Sequence, residues 1–546
     1  MTSGNRQGTN GIVLGVALAV AAVVLAALPF LKGAFFIGKH EGDTLHLADI
    51  VLRMAEAGQL PHLDFMTPIG IGAVWPIAAF VQAGLGMGHA IFAAQAAVAA
   101  LLFLPAMRVA LSRFSGALSW GFAFYLMVLC LALVHGEAEA SISISMHYNR
   151  WAWALAYLAI PLAMLAPLGT PRPWLDGALI GLAMAGLVLI KVTYFVAFAP
   201  PVLIALLARK QGWMILSAVL SGLAVALVVT GLLGVDFWMA YLKDLQSVAG
   251  SETRPAPGHP LGSILAAPAY VAGTLTLVAA IIFLRQSGRM IEGMVLLFLL
   301  PGAIYVTWQN FGNDPQWLVL LALLAFALRP DEYVVNGFGW RMSEALRIVG
   351  IVAVTLGASS ILNLMWSPFR HLSMDEEKAV PLLSALPAHH DILVQEPRVY
   401  RVSYRTAADG PGTAYAAYNA RADWPEPTVL NGETLLDCEL AAGYNAWFET
   451  VVKDLEANGQ SGSSVLVADL FSALWLYGDL RPVAGAAPWY YGGTPGIRAA
   501  DHVLVPLCPT GLNVRTGMVK ALEDAGWRLE EERRTDTYIL LRPIAP

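Results

Sequence analysis

Charge is what this chain lacks most. Of its 546 residues, 13% are Asp, Glu, Lys or Arg and 57% are hydrophobic, where soluble domains carry about 25% charged residues. That shortage excludes an ordinary soluble globular protein and predicts one that lives in a bilayer. The net charge of -6 is diluted over the whole length and marks neither a nucleic-acid partner nor an acidic one. Cysteine is scarce too: three residues, Cys130, Cys438 and Cys508, with no spacing that resembles a zinc site. There is no glycine-rich phosphate loop, no internal repeat and no low-complexity tail. The first apolar run, from about Gly11 to Leu31 behind Arg6, has no convincing small-residue cleavage site, so an uncleaved first span is expected.

What the chain does have is a succession of apolar runs of roughly 16 to 22 residues, long enough to cross about 30 Å of hydrocarbon. One stretch decides how they are threaded. If Ile69–Leu85 lies along the surface, spans fall near 11–31, 89–107, 115–134, 151–168, 175–190, 193–208, 213–234, 262–284, 290–307, 315–328 and 343–364. With the N-terminus inside, the cytoplasmic loops then hold Arg108, Arg113, Arg172, Arg209, Lys210, Arg285, Arg289, Arg329 and Arg341. If the stretch crosses, all of these move outside. The excess of Lys and Arg on cytoplasmic loops selects the surface reading, and Pro68 and Pro76 suit a bent segment. The expected fold is an α-helical polytopic membrane protein of about eleven spans.

Composition changes after Trp366. Residues 367–546 have ordinary polarity and are numerous enough for a separate domain, with 1–366 as the membrane domain. Short β-rich runs (DILVQ, SSVLVADL, HVLVPL, DTYILLRP) alternate with helical stretches near Ala441–Glu456 and Val514–Ala525, which predicts an α/β or α+β domain. An odd number of spans puts it outside the cytoplasm. Cys438 and Cys508 both fall in it and can pair if it faces an oxidising compartment; their spacing alone does not decide.

Four polar segments share that outer side. The first, within an outer loop over 34–88, is KHEGDTLHLADIVLRMAEAGQLPHLDFMTPIG, residues 39–70. From Asp43 to Gly58 it reads as a helix on the membrane surface, with Asp43 as N-cap, an exposed Asp49–Arg53 pair one turn apart, and Gly58 as the stop. Asp43, at the head of this helix, is the first choice for a group that deprotonates or orients an acceptor hydroxyl; an N-capping role alone accounts for it equally simply. Glu41, His46, His62 and Asp64 accompany it. The second segment, His135–Trp151, offers Glu137, Glu139, His147, Tyr148, Asn149 and Arg150, with Trp151 and Trp153 as interfacial anchors. The third follows Val235. The fourth, WQNFGNDPQW, holds Gln309, Asn310, Asn313 and Asp314 to bond sugar hydroxyls, with Trp308 or Trp317 beneath the ring. A tight turn explains the same residues. Arg150 and Lys191, at the outer boundary, suit a lipid-linked phosphate, and headgroup snorkelling suits them as well. APWYYGGTPG (Trp489, Tyr490, Tyr491) reads as a packed loop more readily than as a carbohydrate platform.

The first segment resembles the first outer loop of polyprenyl-phosphate-sugar-dependent glycosyltransferases of the GT-C superfamily, especially the lipid A aminoarabinose transferase and protein O-mannosyltransferase branch. The matching positions are Asp43, Ile50, Met54, Gly58, Pro61 and, more loosely, Asp64 and Pro68. Thr44 stands where that family often has a glutamate, which leaves the second acidic role open to Glu41. The resemblance covers this loop and the general layout of many spans plus an outer C-terminal domain. It implies a catalytic aspartate at position 43 and a second polar group from the next outer loop. Some relatives bind a divalent cation; Asp43 with Glu137 or Glu139 offers oxygen ligands, though no spacing demands one.

The function expected is therefore transfer of a sugar from a polyprenyl-phosphate carrier to an envelope glycan, lipid or protein at the outer face of a bacterial inner membrane. A flippase for lipid-linked glycans, a polysaccharide polymerase or ligase, and an envelope scaffold are the rivals. A flippase would carry ionisable groups or broken helices at mid-membrane in paired halves, and neither is visible in the sequence.

Overall fold

A computed structural model describes residues 9–136, 138–251, 260–312, 315–410, 413–418 and 426–546. The chain runs through α1 (Gly11–Lys32), a short strand β1 (Phe35–Ile37), the polar helix α2 (Glu41–Ala55) and α3 (Ile71–Gln82). Next come α4 (Met87–Arg113), α5 (Ala117–Leu131), α6 (His147–Met164), α7 (Pro173–Ile190), α8 (Val192–Ala208) and α9 (Gly212–Leu233). The amphipathic α10 (Asp236–Ala249) and the short α11 (Leu261–Ala266) precede α12 (Pro268–Gln286), α13 (Met290–Gln309), α14 (Gln316–Ala327) and α15 (Met342–Leu372).

Among the described residues seven helices, α1, α4, α7, α9, α12, α13 and α15, are long and apolar enough to cross a membrane. The chain is a multi-pass membrane protein. Helices α5, α8 and α14 are apolar but shorter. The 12-residue α3 rises only about 18 Å, too little to span, so Ile69–Leu85 does not cross as one straight helix.

The helices assemble around α6. It is apolar nearly all round and buried along almost its whole length, including Trp151 and Trp153, as an all-round apolar helix must be. Outside it, α7 and α9 approach closely: a Cβ on Gly177 or Gly181 would lie 2.3 Å from Met214 O or 2.1 Å from Ala218 O. Such small-residue contacts are how helices pack where lipid supplies no hydrophobic drive.

Beyond α15 the chain forms β2 (Ala379–Pro381), β3 (Ile392–Gln395), a single turn α16 (Glu396–Val399), β4 (Ser403–Thr406), β5 (Val429–Leu430), β6 (Glu433–Thr434) and β7 (Cys438–Ala442). Then come α17 (Tyr444–Ala457), β8 (Val465–Val467), β9 (His502–Pro506), α18 (Leu512–Asp524), β10 (Arg528–Arg534) and β11 (Tyr538–Ile544). The main sheet has the order β10-β11-β9-β8, parallel only between β8 and β9. Cys438 and Cys508 form a disulfide with Cα atoms 4.9 Å apart, and Cys130 is buried and free.

This region is α/β, but it is not closed on itself. β1, from the loop after α1, pairs in parallel with β3 in a second sheet of order β1-β3-β2. The expected cut at 366 also falls inside α15. One hydrophobic cluster runs without a break from the membrane helices through α2 to Val394, Trp447 and Phe471.

Candidate functional site

The polar segments expected on the outer side converge. A cavity of about 500 Å³ is lined by Pro68 and Ile69 from the first loop and by Met146 and Tyr148 from the second. Lys191, Val192 and Thr193 come from the α7–α8 junction, Leu245 and Val248 from α10, Gln309 and Asn310 from the end of α13, and Tyr491 from the C-terminal region. Lys191 is extended (φ -156°, ψ 99°), which breaks α7 from α8 and turns its side chain to the cavity wall. Its ammonium donates to Asn149 Oδ1 at 2.8 Å and Asn310 Oδ1 at 2.7 Å and lies 5.1 Å from the Tyr148 ring centroid. Five sequence candidates from three loops thus meet: Tyr148, Asn149, Lys191, Gln309 and Asn310. Gly70 seats the first loop here. Its N–H donates to Ile190 O at 3.2 Å, and a Cβ would lie 2.1 Å from Leu189 O.

Below this cavity an apolar cleft of about 480 Å³ runs between α7, α8 and α9. Its lining is apolar throughout, from Ile180 and Leu206 up to Val188, Leu189 and Phe195, with Trp238 of α10 at one wall. Residues 188–189 line the cleft and 190–193 the polar cavity, so the two are contiguous along α7 and α8. Both lie within the roughly 300–1,000 Å³ of small-molecule sites.

Asp43 sits differently from the expectation. The residue at the cap position of α2 is His40 (φ 64°), which makes no side-chain cap bond; Asp43 lies in the first turn. Half-buried, it accepts a 2.5 Å hydrogen bond from Ser145 Oγ of the second loop. Ser145 adjoins Met146 of the cavity wall, so Asp43 stands behind that wall rather than in its lining. Glu41, two residues earlier, is paired through both carboxylate oxygens with Arg398.

Nor does α2 lie on a surface. All but Gly42, Asp43 and Ala55 are buried. The Asp49–Arg53 pair (2.7 Å) is fully buried, with Trp475 donating to Asp49 at 2.9 Å and Arg53 donating to Gln59 at 3.0 Å and Val483 O at 2.9 Å. Burial pushes the Asp49 carboxyl up, and Arg53 and Trp475 oppose it. The helix is covered because the C-terminal region folds back over it.

Several expected binding groups are engaged elsewhere, outside the cavity lining. The His46 ring packs 5.2 Å from Trp489. His62 pairs with Asp244 of α10 at 2.8 Å, and Asp64 accepts from Leu60 N at 2.7 Å to close a turn. Glu139 pairs with Lys39 at 2.5 Å on the exposed rim. His147 donates from Nε2 to Ala73 O at 2.9 Å. Arg150 is not a boundary cation: it is buried at the start of α6 and donates to Leu129 O at 3.3 Å. Trp151 and Trp153 are buried rather than interfacial. Trp317, also buried, donates to Thr307 Oγ1 at 3.1 Å, so it is no sugar platform. Trp489 and Tyr490 pack as a loop, while Tyr491 reaches the cavity. Glu137, Asn313 and Asp314 lie outside the described residues. Among the described residues no group of three or more His, Cys, Asp or Glu side chains is arranged to hold a metal ion.

Sequence reasoning missed α10. The signal for α10 was present: Phe237, Tyr241 and Asp244 recur at helical spacing and are its buried residues. No family model, curated protein or solved structure matches the chain.

Proposed function

We propose that the protein is a glycosyltransferase that moves a sugar from a polyprenyl-phosphate carrier to an envelope acceptor. The observation that carries this reading is the continuity of the apolar cleft between α7, α8 and α9 with the polar cavity at Lys191. An isoprenoid tail needs a dry, lipid-facing groove; its phosphate needs a cation and hydrogen-bond donors at the groove's outer end; a sugar needs amides and aromatic faces. The cleft and the cation follow one another along α7 and α8, and the amides and aromatic rings reach the same cavity from α6, the end of α13 and the C-terminal region. Asn149 and Asn310 orient the Lys191 ammonium, Gln309 holds sugar or phosphate oxygens, and Tyr148 and Tyr491 wall the sugar. In the reaction the acceptor hydroxyl attacks the anomeric carbon, and its proton passes by way of the Ser145 hydroxyl to Asp43, which stands behind the cavity wall. The bond from that carbon to the phosphate oxygen breaks, and the lipid phosphate leaves with the electron pair beside Lys191.

About eleven crossings belong to the same reading: seven helices are long and apolar enough, and α6 with the shorter α5, α8 and α14 would complete the count, α14 only together with its flanking residues. The outer face of a bacterial inner membrane is the location proposed for the C-terminal region, and the Cys438–Cys508 disulfide supports an oxidising compartment. A flippase would use a similar cavity but make no new glycosidic bond.

The test is a strain lacking the protein, its surface glycans compared with wild type by mass spectrometry. Wild-type protein should restore the missing sugar. Lys191→Ala, inserted normally, should weaken binding of farnesyl phosphate by about tenfold or more, the scale of one hydrogen bond to a charged group. Unchanged glycans, or farnesyl phosphate bound equally by Lys191→Ala, would overturn the reading.

A further inference from the structure

A second hollow, of about 360 Å³, lies on the other side of the α2 N-terminus. Glu41, Arg398, Arg401, Ser403 and Tyr444 line it, with Ala441 and Ala442 at its base. The fold builds it from four pieces. The first turn of α2 supplies Glu41, α16 and the strand after it supply Arg398 to Ser403, the end of β7 supplies the base, and the start of α17 supplies Tyr444. β4 and β7 are paired here, Ser403 opposite Ala442, and the disulfide ties the other end of β7 to Cys508.

The charges are arranged unequally. Arg398 is bound to Glu41 through Nε and Nη2. Arg401 is exposed, and among the described residues no hydrogen bond or ion pair engages its guanidinium. Tyr444 is mostly buried; that burial and the carboxylates of Asp469, Glu41 and Asp43 push its phenol up to about 12, so it stays a neutral hydroxyl. Asp43 follows Glu41 by two residues in the first turn of α2, and Ser145 joins its carboxylate to the cavity wall.

We propose that this hollow is the acceptor subsite and that it takes a sugar bearing an anionic substituent, a phosphate or a carboxylate. The proposal rests on the reading of Asp43 as the base. Of the two guanidinium groups in the lining, Arg398 is balanced by Glu41, which leaves Arg401 to receive an anion. The site recognises one negative group through Arg401, with the Ser403 and Tyr444 hydroxyls and Glu41 for neighbouring sugar hydroxyls. The C-terminal region then has a direct role: it forms most of the acceptor wall and closes it against α2.

The experiment uses the full chain in lipid nanodiscs and saturation-transfer NMR with three probes: glucose 1-phosphate, glucuronic acid and glucose. The two anionic sugars should bind at least tenfold more tightly than glucose. Arg401→Ala, an exposed substitution, should abolish that preference, and Arg401→Lys should keep part of it. A preference for only one of the two anionic sugars identifies the group as phosphate or carboxylate. Equal binding of all three probes, or an unaltered preference in Arg401→Ala, would overturn the subsite. Farnesyl phosphate binding, measured alongside, should be the same in Arg401→Ala and wild type. Farnesyl phosphate binding lost in Lys191→Ala, together with an unaltered sugar preference in Arg401→Ala, would sink the acceptor hollow and leave the donor reading standing. Its retention in Lys191→Ala would sink the donor reading instead.

Discussion

Helices α2 and α9 invert the usual relation between apolarity and burial. α9 is almost wholly apolar, yet only Met214 and Ser217 are buried and Leu227 is 71% exposed. α2 carries Glu41, Asp43, His46, Asp49 and Arg53 in 15 residues, and nearly all of it is inside. The difference lies in what surrounds each helix. α9 faces lipid, where exposure of Leu and Val carries no penalty because the solvent is itself hydrocarbon. α2 is wedged between the membrane helices and the C-terminal region, so the partners its polar groups have are protein groups rather than water, and among the described residues Asp49 Oδ2 and Arg53 Nη2 are buried without one. Those partners are Trp475, Gln59 and Val483 for Asp49 and Arg53, Ser145 for Asp43, and Arg398 for Glu41. α2 is therefore the piece through which the two halves are held in register.

The largest effect that comparison predicts is at Arg53. Arg53→Ala leaves Asp49 charged and buried without its main partner, at a cost of about 3–5 kcal/mol. Thermal unfolding in nanodiscs should report a strongly destabilised protein, with the C-terminal region opened to protease. A variant as stable as wild type would mean that α2 is solvated after all and that the contrast with α9 is false.

Next comes Asp43, where the effect is on rate and not on stability. Asp43 is not the cap, and asparagine can still accept from Ser145 Oγ, so Asp43→Asn should unfold at the wild-type temperature. Loss of the basic carboxylate should lower transfer by about 10²-fold or more. A folded Asp43→Asn protein that restores the missing glycan at full rate would remove the base, and the acceptor hollow with it.

How much of this was legible depends on which solvent each segment meets. All eleven apolar segments expected from hydropathy contain helices, because a long apolar run away from water must satisfy its backbone within itself, whether lipid or protein surrounds it, and the α/β character of the C-terminal region followed from its short β-rich runs. The meeting of Tyr148, Asn149, Lys191, Gln309 and Asn310 was foreseeable because loops on one face of a bundle are brought near one another. The burial of α2 was not. Its charge pattern is that of a helix facing water, and the groups that cover it lie far along the chain: Val483 is 430 residues from Arg53. Arg150 misled for a related reason, since one of its partners is the Leu129 backbone carbonyl, which no side-chain pattern announces. The hollow at Arg401 combines residues 41, 401 and 444, and only the folded C-terminal region brings them together.

The smallest predicted effect sharpens the comparison most directly. Leu227 and Leu45 are the same residue, each on a helix, at 71% and 1% exposure. Leu45→Ala deletes buried methyl groups and should cost about 2–5 kcal/mol, transfer and cavity together. Leu227→Ala exchanges side-chain contacts with lipid for lipid contacts with backbone and neighbours, leaves no cavity, and should stay within about 0.5 kcal/mol of wild type. It lies outside the lining of the apolar cleft, so transfer should be unchanged as well. Unfolding of both variants, measured side by side in nanodiscs, gives the contrast as one number. If Leu227→Ala proved as damaging as Leu45→Ala, α9 would be packed against protein on its outer face. That face would then be an interface with another copy or another chain, and the apolar cleft beside it would not open to lipid.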